Sequence, residues 1–280
     1  MLTVKMGGGF GNQLFQYVLA RRLAKQNGEE LCIDTSHYDR SDRDASKWFW
    51  LEALPIQAVI RRTDQANPFY RLQRKLGVGR SGCLYQESEP GYHPEVFALP
   101  PGSTLNGYFQ SYRYQEPRDG DILSEIDASH LLGDDHKKLL REIRARGAIS
   151  VHVRRGDYVC DPRFDVPERY NVLRTALACM RTEFPDQPLF VFSDDIAWCQ
   201  QSGLFRDDTV YRGASPADHP AIDLHLMSQC AHHVIANSSY SWWAAWLGDR
   251  AGKRIIAPRQ WFGRHTADDM QILPPHWKQI

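Results

Sequence analysis

The 280-residue sequence predicts an α/β protein made of two Rossmann-like halves facing a cleft. Three observations lead there. Residues 2–34 read as a strand, a glycine-rich loop, a helix and a second strand, a unit that implies a parallel sheet. From Ile149 onward, short apolar strands again alternate with helical patterns. Between them, Gly120 to Gly133 or the end of the helix that follows marks a joint, so the expected domains are 1–133 and 134–280, with a C-terminal tail that can pack back on the first.

Taken in order, residues 2–6 form a short strand and Gly7-Gly8-Gly9-Phe10-Gly11-Asn12 a loop. From Gln13, the apolar positions Leu14, Phe15, Val18, Leu19 and Leu23 recur at helical spacing, and Lys25, Asn27 and Gly28 look like the helix end. Leu31 to Asp34 is the next strand. A glycine loop lets backbone N–H groups approach an anion or a sugar, but it serves equally as a tight strand-to-helix turn. The dinucleotide and P-loop fingerprints are both missing: Asn12 stands where a third glycine would be, and no Gly-Lys-Ser/Thr follows. Residues 36–104 resist parsing; Arg61, Arg62, Arg71, Arg74, Lys75 and Arg80 make part of this stretch basic, as a solvated face would be. Asn106 to Tyr114 mixes aromatic and polar residues, which suits either a sugar contact through Tyr108 and Gln110 or a strand with core aromatics.

Asp134 to Arg146 is helical by pattern. It leads into Ile149-Ser-Val-His-Val-Arg-Arg-Gly-Asp-Tyr158, where Ile149, Val151 and Val153 alternate with Ser150, His152 and Arg154 as in a strand. Two arginines at a strand's carboxyl end suit a phosphate-bearing ligand, because guanidinium donors match phosphate oxygens and stay charged. They suit a surface ion-pair cluster with Asp157 as well. Helices follow at Pro167–Phe184, Ile196–Gln201, Ala217–Cys230 and Ser239–Leu247, and strands at Leu189–Phe192, Thr209–Tyr211, His233–Ala236 and Arg254–Ala257. Ser193, Asp194 and Asp195 close one strand, where a carboxylate meets ribose or guanine, holds a metal, or simply caps a helix. Asn237, Ser238, Ser239 and Ser241 open a helix whose start can receive an anion, while Trp242, Trp243 and Trp246 read as core packing.

Hydrophobic residues are 42% and charged residues 24% of the chain, and Lys plus Arg equals Asp plus Glu at 34 each. The balance gives no support for broad nucleic-acid binding. No signal peptide is visible, and no window approaches the roughly 20 apolar residues of a spanning helix, so a cytoplasmic protein with at most peripheral membrane association is expected. Six scattered cysteines without a Cys-x-x-Cys pair favour reduced thiols over a zinc site. There is no His-Glu-x-x-His and no Gly-x-Ser-x-Gly.

Five blocks carry a resemblance: Gly7–Tyr17, Gly107–Ser111, Val151–Val159, Phe192–Asp195 and Ala236–Trp246. Together they resemble the bacterial α-1,2-fucosyltransferases of glycosyltransferase family 11, with Phe10 where leucine is usual and a poor match over 36–104. The resemblance implies a GT-B fold and inverting transfer of fucose from GDP-β-L-fucose to the 2-hydroxyl of a terminal β-galactoside in surface polysaccharide (O-antigen) synthesis, with no metal or other cofactor. It places the donor on the C-terminal half, at Arg154, Arg155, Ser193, Asp194, Asp195, Asn237, Ser238, Ser239 and Ser241. The acceptor side would be Gly9, Gly11, Asn12, Gln13, Tyr108 and Gln110. Arg154 would meet the leaving phosphate, Arg155 would organise the loop, His152 would contact the nucleotide or pack, and Asp157 is the block's one candidate base. A related enzyme moving another nucleotide sugar, or a non-catalytic glycan binder, is the alternative.

Overall fold

The computed structural model describes residues 1–38, 48–62, 82–156, 158–159, 169–263 and 265–280. They form two compact units, Met1–Asp127 with Met270–Ile272, and Ala128–Asp269 with Leu273–Ile280. The division falls at 127/128 rather than 133/134, because the 3-10 turn Ser129–Leu131 packs on a helix of the second unit and Gly133 is only the N-cap of the next helix. Of the tail, Met270–Ile272 belongs to the first unit, where the Gln271 carbonyl accepts from Ser111 Oγ at 2.7 Å and from the Tyr112 N–H at 3.1 Å.

The first unit holds β1 (Leu2–Lys5), α1 (Phe10–Asn27), β2 (Leu31–Asp34), β3 (Val59–Arg61), β4 (Leu84–Gln86), β5 (Thr104–Asn106) and the short α2 (Gly120–Glu125). Its sheet runs β3-β2-β1-β5-β4, wholly parallel. α1 starts at Phe10, earlier than the apolar spacing shows, because it is buried nearly all round: Gln13 and Gln16 lie inside with Leu14, Phe15 and Leu19. It ends at Gly28, whose φ of 63° is the left-handed value a helix C-cap favours. Three strands, β3 to β5, come from or border the stretch the sequence left unparsed. Each has only three residues, too few to show a period. Of the basic residues there, Arg61 pairs with Asp34 at 3.0 Å and Arg62 with Glu52; Arg71, Arg74, Lys75 and Arg80 lie outside the described residues.

The second unit contains α3 (Asp134–Arg146), β6 (Ile149–Val153), α4 (Arg169–Glu183), β7 (Leu189–Ser193), α5 (Ile196–Gln201), β8 (Val210–Gly213), α6 (Pro220–Ser228), β9 (His232–Val234), α7 (Ser239–Gly248) and β10 (Ile255–Ala257). A hairpin, β11 (Gln260–Phe262) and β12 (His265–Thr266), precedes the last strand, β13 (Lys278–Gln279). The sheet order is β13-β10-β9-β6-β7-β8, all parallel. Counted along the chain this is 3-2-1-4-5-6 mirrored, the doubly wound order, and the direction of winding reverses between β6 and β9. Trp242 and Trp243 are fully buried and Trp246 is 1% exposed, so all three are core. Among the described residues no helix is long and apolar enough to cross a membrane, and Cys32, Cys83, Cys179, Cys199 and Cys230 are free thiols.

All five residues of β6 are buried, polar ones included, as in a parallel strand covered on both faces. Ser150 is therefore satisfied internally. Lys253 donates to the carbonyls of Ser228 and Cys230 and faces His233 Nε2 at 3.3 Å, which makes Nε2 the acceptor and leaves Nδ1–H to donate to Ser150 Oγ at 2.7 Å. Burial, then the Lys253 charge, pushes the His233 pKa well below its ordinary value. A depressed histidine contributes stability that is present above the unfolded pKa and lost as pH falls below it, here from about 6.5 downward. Thermal melts should show Tm falling below that pH. His233→Gln should melt lower than the parent at pH 8 and lose less on acidification.

Candidate active site

The second unit's site begins with strand register. β6 and β7 pair His152 with Phe192 and Val153 with Ser193, so the residues just beyond both strands lie side by side. There Arg154 Nη1 meets Asp194 Oδ2 at 2.7 Å, and the Arg155 N–H donates to Asp194 Oδ1 at 2.8 Å. A Cβ on Gly156 would lie 2.8 Å from Asp194 Oδ2, which explains the glycine after the two arginines. Arg155 is held on every side. Its Nε meets Asp195 Oδ2 at 2.9 Å, its Nη1 donates to the Tyr170 hydroxyl, and its guanidinium carbon sits 4.3 Å from the Trp198 ring centroid. It is a scaffold residue by geometry. Asp195 also caps α5, accepting from the Trp198 N–H at 3.0 Å; that bond and Arg155 lower its pKa. Tyr170 and Trp198 read from sequence only as helix residues, and nothing in their spacing signals this clamp.

A cavity of about 360 Å³ opens at the carboxyl ends of β6, β9 and β10, at the point where the winding reverses. Leu173, Ala176, Ile235 and Pro258 give it an apolar wall; His152, Arg154, Asn237, Arg259, Gln260 and Thr266 supply polar groups. This is the standard place for a ligand in an open α/β sheet. His152 is 8% exposed, and its Nδ1 is buried with no hydrogen-bond partner among the described residues. Burial first, and the Arg154 charge second, push its pKa down to about 4. The ring is thus neutral near pH 7, able to hydrogen-bond a ligand but a poor base.

Of the other donor-side candidates, all but Asn237 stand apart from the cavity wall. Asp194 and Asp195, expected at ribose or guanine, are paired with Arg154 and Arg155. Ser193 Oγ accepts from the Asp195 N–H at 3.0 Å. Ser238 is the N-cap of α7, but its hydroxyl makes no cap bond, and Ser239 opens the helix. Ser241 Oγ donates to the carbonyls of Ala236 and Ser238 and is 1% exposed, so it is spent on the turn. Asn237 does line the cavity; its Nδ2 donates to the Trp261 carbonyl at 2.9 Å. The wall residues Arg259, Gln260 and Thr266 carried no motif by which sequence reading could find them. Asp157 lies outside the described residues. Among the described residues, no three His, Cys, Asp or Glu side chains cluster as a metal site.

In the first unit the glycine loop also sits where winding reverses, between β1 and β5. Gly8 has a φ of 75°, and a Cβ there would lie 2.5 Å from Asn12 Nδ2 and 3.1 Å from Tyr108 Cε1. Gln16 bridges the two strand ends, accepting from the Gly7 N–H at 3.1 Å and donating to the Gly107 carbonyl at 2.8 Å. Gln110 Nε2 donates to Asn12 Oδ1 at 2.6 Å. The structure brings Asn12, Tyr108 and Gln110 together beside Gly8, with Gly9 as N-cap of α1 and Gly11 buried in its first turn. Asn106 to Tyr114 is not a strand throughout: it turns after Asn106 and ends in the 3-10 helix Tyr112–Tyr114. Glu87, unmarked in the sequence, holds that turn. It accepts from the N–H groups of Tyr108 at 2.6 Å and Phe109 at 3.1 Å, and burial raises its pKa.

Gly156→Ala should displace Asp194 and loosen Arg154. Turnover is expected to fall at least tenfold (order of magnitude, as for a misplaced catalytic group) with Tm nearly unchanged, measured by steady-state kinetics and thermal melts.

Comparison with known proteins bears on the family and the fold. The chain is 29% identical over 304 aligned positions to "O-antigen biosynthesis glycosyltransferase WbnK" of Escherichia coli, covering 95% of this chain and 97% of the relative. It is 28% identical to "Alpha-1,2-colitosyltransferase" of Escherichia coli, over 100% and 99% of the two chains. It is 27% identical to "Galactoside 2-alpha-L-fucosyltransferase Sec1" of Mus musculus, over 88% and 64%. The solved E. coli ADP-heptose lps heptosyltransferase II shares the fold, with a TM-score of 0.51, 11% identity, and 100% and 90% of the chains covered. The fold is the expected α/β GT-B class of two Rossmann-like units. The profile of Glycosyl transferase family 11 matches residues 91–280, more than half of the sequence, and the chain belongs to that glycosyltransferase family.

Proposed function

We propose that the protein transfers L-fucose from GDP-β-L-fucose to the 2-hydroxyl of a terminal β-galactoside, inverting the anomeric carbon without a metal ion, in surface polysaccharide synthesis. The observation that carries this reading is the wall shared by Arg154 and the neutral His152 in an apolar cavity at the switch point of the second unit. The cavity suits a nucleoside, and Arg154 beside it suits the diphosphate. The names of the E. coli and mouse relatives support an O-antigen product and a 1,2-linked fucose-like sugar.

In the proposed step, the acceptor 2-hydroxyl oxygen attacks the anomeric carbon from the face opposite GDP. The new carbon–oxygen bond forms as the bond to the β-phosphate oxygen breaks, and that oxygen keeps the electron pair. Arg154, positioned by Asp194, meets the growing negative charge. Because Asp194 positions it by an ion pair only partly buried, the pair's value is geometric rather than stabilising. Arg155 keeps the loop in place. The hydroxyl proton passes to Asp157, the one carboxylate of its block, since Asp194 and Asp195 are already committed to guanidinium groups. Asn237 and the first turn of α7, with Ser238 and Ser239, would face the diphosphate, and Asn12, Gln13, Tyr108 and Gln110 the acceptor.

The similarity to a colitosyltransferase favours a second reading, in which the donor is GDP-colitose, a deoxy analogue of GDP-fucose. Transfer assays decide between them, with GDP-fucose, GDP-colitose and UDP- or ADP-sugars offered to lactose, N-acetyllactosamine and Gal-β-1,3 acceptors, with and without EDTA. Transfer from GDP-fucose that survives EDTA is expected. Preference for another donor overturns the fucose reading, and loss of activity in EDTA overturns metal independence. Arg154→Ala should lower kcat by ~10²–10³, the usual cost of one such donor, in a protein that stays folded by circular dichroism; near-normal turnover would sink its role.

A further inference from the structure

Strand register sets four side chains in a row at the carboxyl edge of the second sheet. Val191, Val151, Val234 and Ile256 are Cα partners across β7, β6, β9 and β10. Three residues further along the chain from each stand Asp194, Arg154, Asn237 and Arg259. Contacts carry this order past the paired residues. Asp194 Oδ2 meets Arg154 Nη1 at 2.7 Å. Asn237 Nδ2 donates at 2.9 Å to the carbonyl of Trp261, two residues beyond Arg259. The Arg259 backbone is fixed at both polar groups: its N–H donates to the Ile280 carbonyl at 2.7 Å, and its carbonyl accepts from the Ala267 N–H at 2.8 Å. Arg154, Asn237 and Arg259 all line the one cavity of about 360 Å³. Two strand spacings put the backbones of the two arginines about 10 Å apart, a span that two long side chains can close from opposite sides.

The charges around the cavity are unequal. Arg154 is offset by Asp194, Arg155 is spent on Asp195, and His152 is neutral near pH 7 because its pKa is pushed down to about 4. The first turn of α7 offers only the partial charge of a helix end. Arg259 differs. It is exposed, and its guanidinium enters no hydrogen bond or ion pair among the described residues. Asp269 feels its charge, but that carboxylate already accepts from the Thr266 N–H and hydroxyl, each at 2.8 Å. A diphosphate ester carries two negative charges, and setting them beside an apolar wall is costly unless cations meet them. The Arg154–Asp194 pair supplies direction and donors but almost no net charge. A second guanidinium supplies that charge, and its planar fork matches two phosphate oxygens at once.

We propose that Arg259 is the second arm of a diphosphate clamp, reaching from the end of β10 across Asn237 to the phosphates that Arg154 meets from β6. Its role rests on the reading of the cavity as a nucleoside diphosphate site, and it adds a contact that the two-arginine motif does not contain.

Calorimetry on the intact chain tests the clamp. Arg259→Ala should weaken GDP binding about 10- to 100-fold, the scale of one charged hydrogen bond, with circular dichroism and Tm as in the parent. Arg259→Lys, which keeps the charge without the fork, should recover part of the loss. Arg259→Gln, which keeps polarity and most of the length without the charge, should not. Arg254→Ala removes an equal charge from the other end of β10, where Arg254 Nε pairs with Glu183 at 2.7 Å, and serves as the control. It should leave GDP affinity within about twofold, as expected of an exposed pair. An unchanged GDP affinity in Arg259→Ala overturns the clamp. So does an equal loss in Arg254→Ala, which would make the effect one of net charge. ADP, UDP and inorganic pyrophosphate separate the clamp from the identity of the donor. If the parent binds one of these in place of GDP and Arg259→Ala loses it, the clamp stands while the GDP reading falls. A parent that binds no diphosphate of any kind overturns the clamp.

Discussion

One carboxylate sets the geometry of the second unit's site. Asp194 takes the Arg154 guanidinium on one oxygen and the Arg155 backbone N–H on the other. This is possible only because β6 and β7 run parallel with their last residues paired, and because nothing but a hydrogen stands on Gly156. The site is therefore a product of sheet register. A pair with 34% and 17% side-chain exposure adds little to folding free energy. What it fixes is direction: one cation set toward the cavity and the other folded back against Tyr170 and Trp198.

Most of the second unit was legible in the sequence. Its helices and strands carry apolar runs long enough to show a period, and the two arginines stand at a strand end where charge is conspicuous. The wall of the second unit's cavity was not legible. Leu173, Ala176 and Pro258 are ordinary apolar residues, and only the sheet order, which depends on pairing between strands distant in sequence, brings them around one cavity. At Asp194 and Asp195 the sequence shows the carboxylates but not their arginine partners. Carboxylates after a strand look like ligand contacts, and the sequence cannot show that a neighbouring strand has already supplied their cations.

The first unit was harder for a different reason. β3, β4 and β5 are three residues each, and periodicity needs more. α1 hides glutamines rather than only leucines, because Gln13 and Gln16 satisfy backbone groups of the loop from within the core. A buried amide of this kind is costly when any of its bonds is missing, so it fixes the loop more tightly than an apolar side chain would. Sequence patterning counts such positions as polar and places them outside.

The chain passes from the first unit to the second after Asp127, returns for Met270–Ile272 and leaves again, with β13 then closing the far edge of the second sheet. Three covalent crossings join the units, not one linker. A fragment ending at Asp127 would lack the Gln271 carbonyl that receives Ser111 and Tyr112, and a fragment beginning at Ala128 would carry three residues folded for a neighbour it no longer has. Neither half is a self-contained module. Exchanging the first unit between relatives to change specificity would here require moving the C-terminal Met270–Ile272 segment along with the first 127 residues.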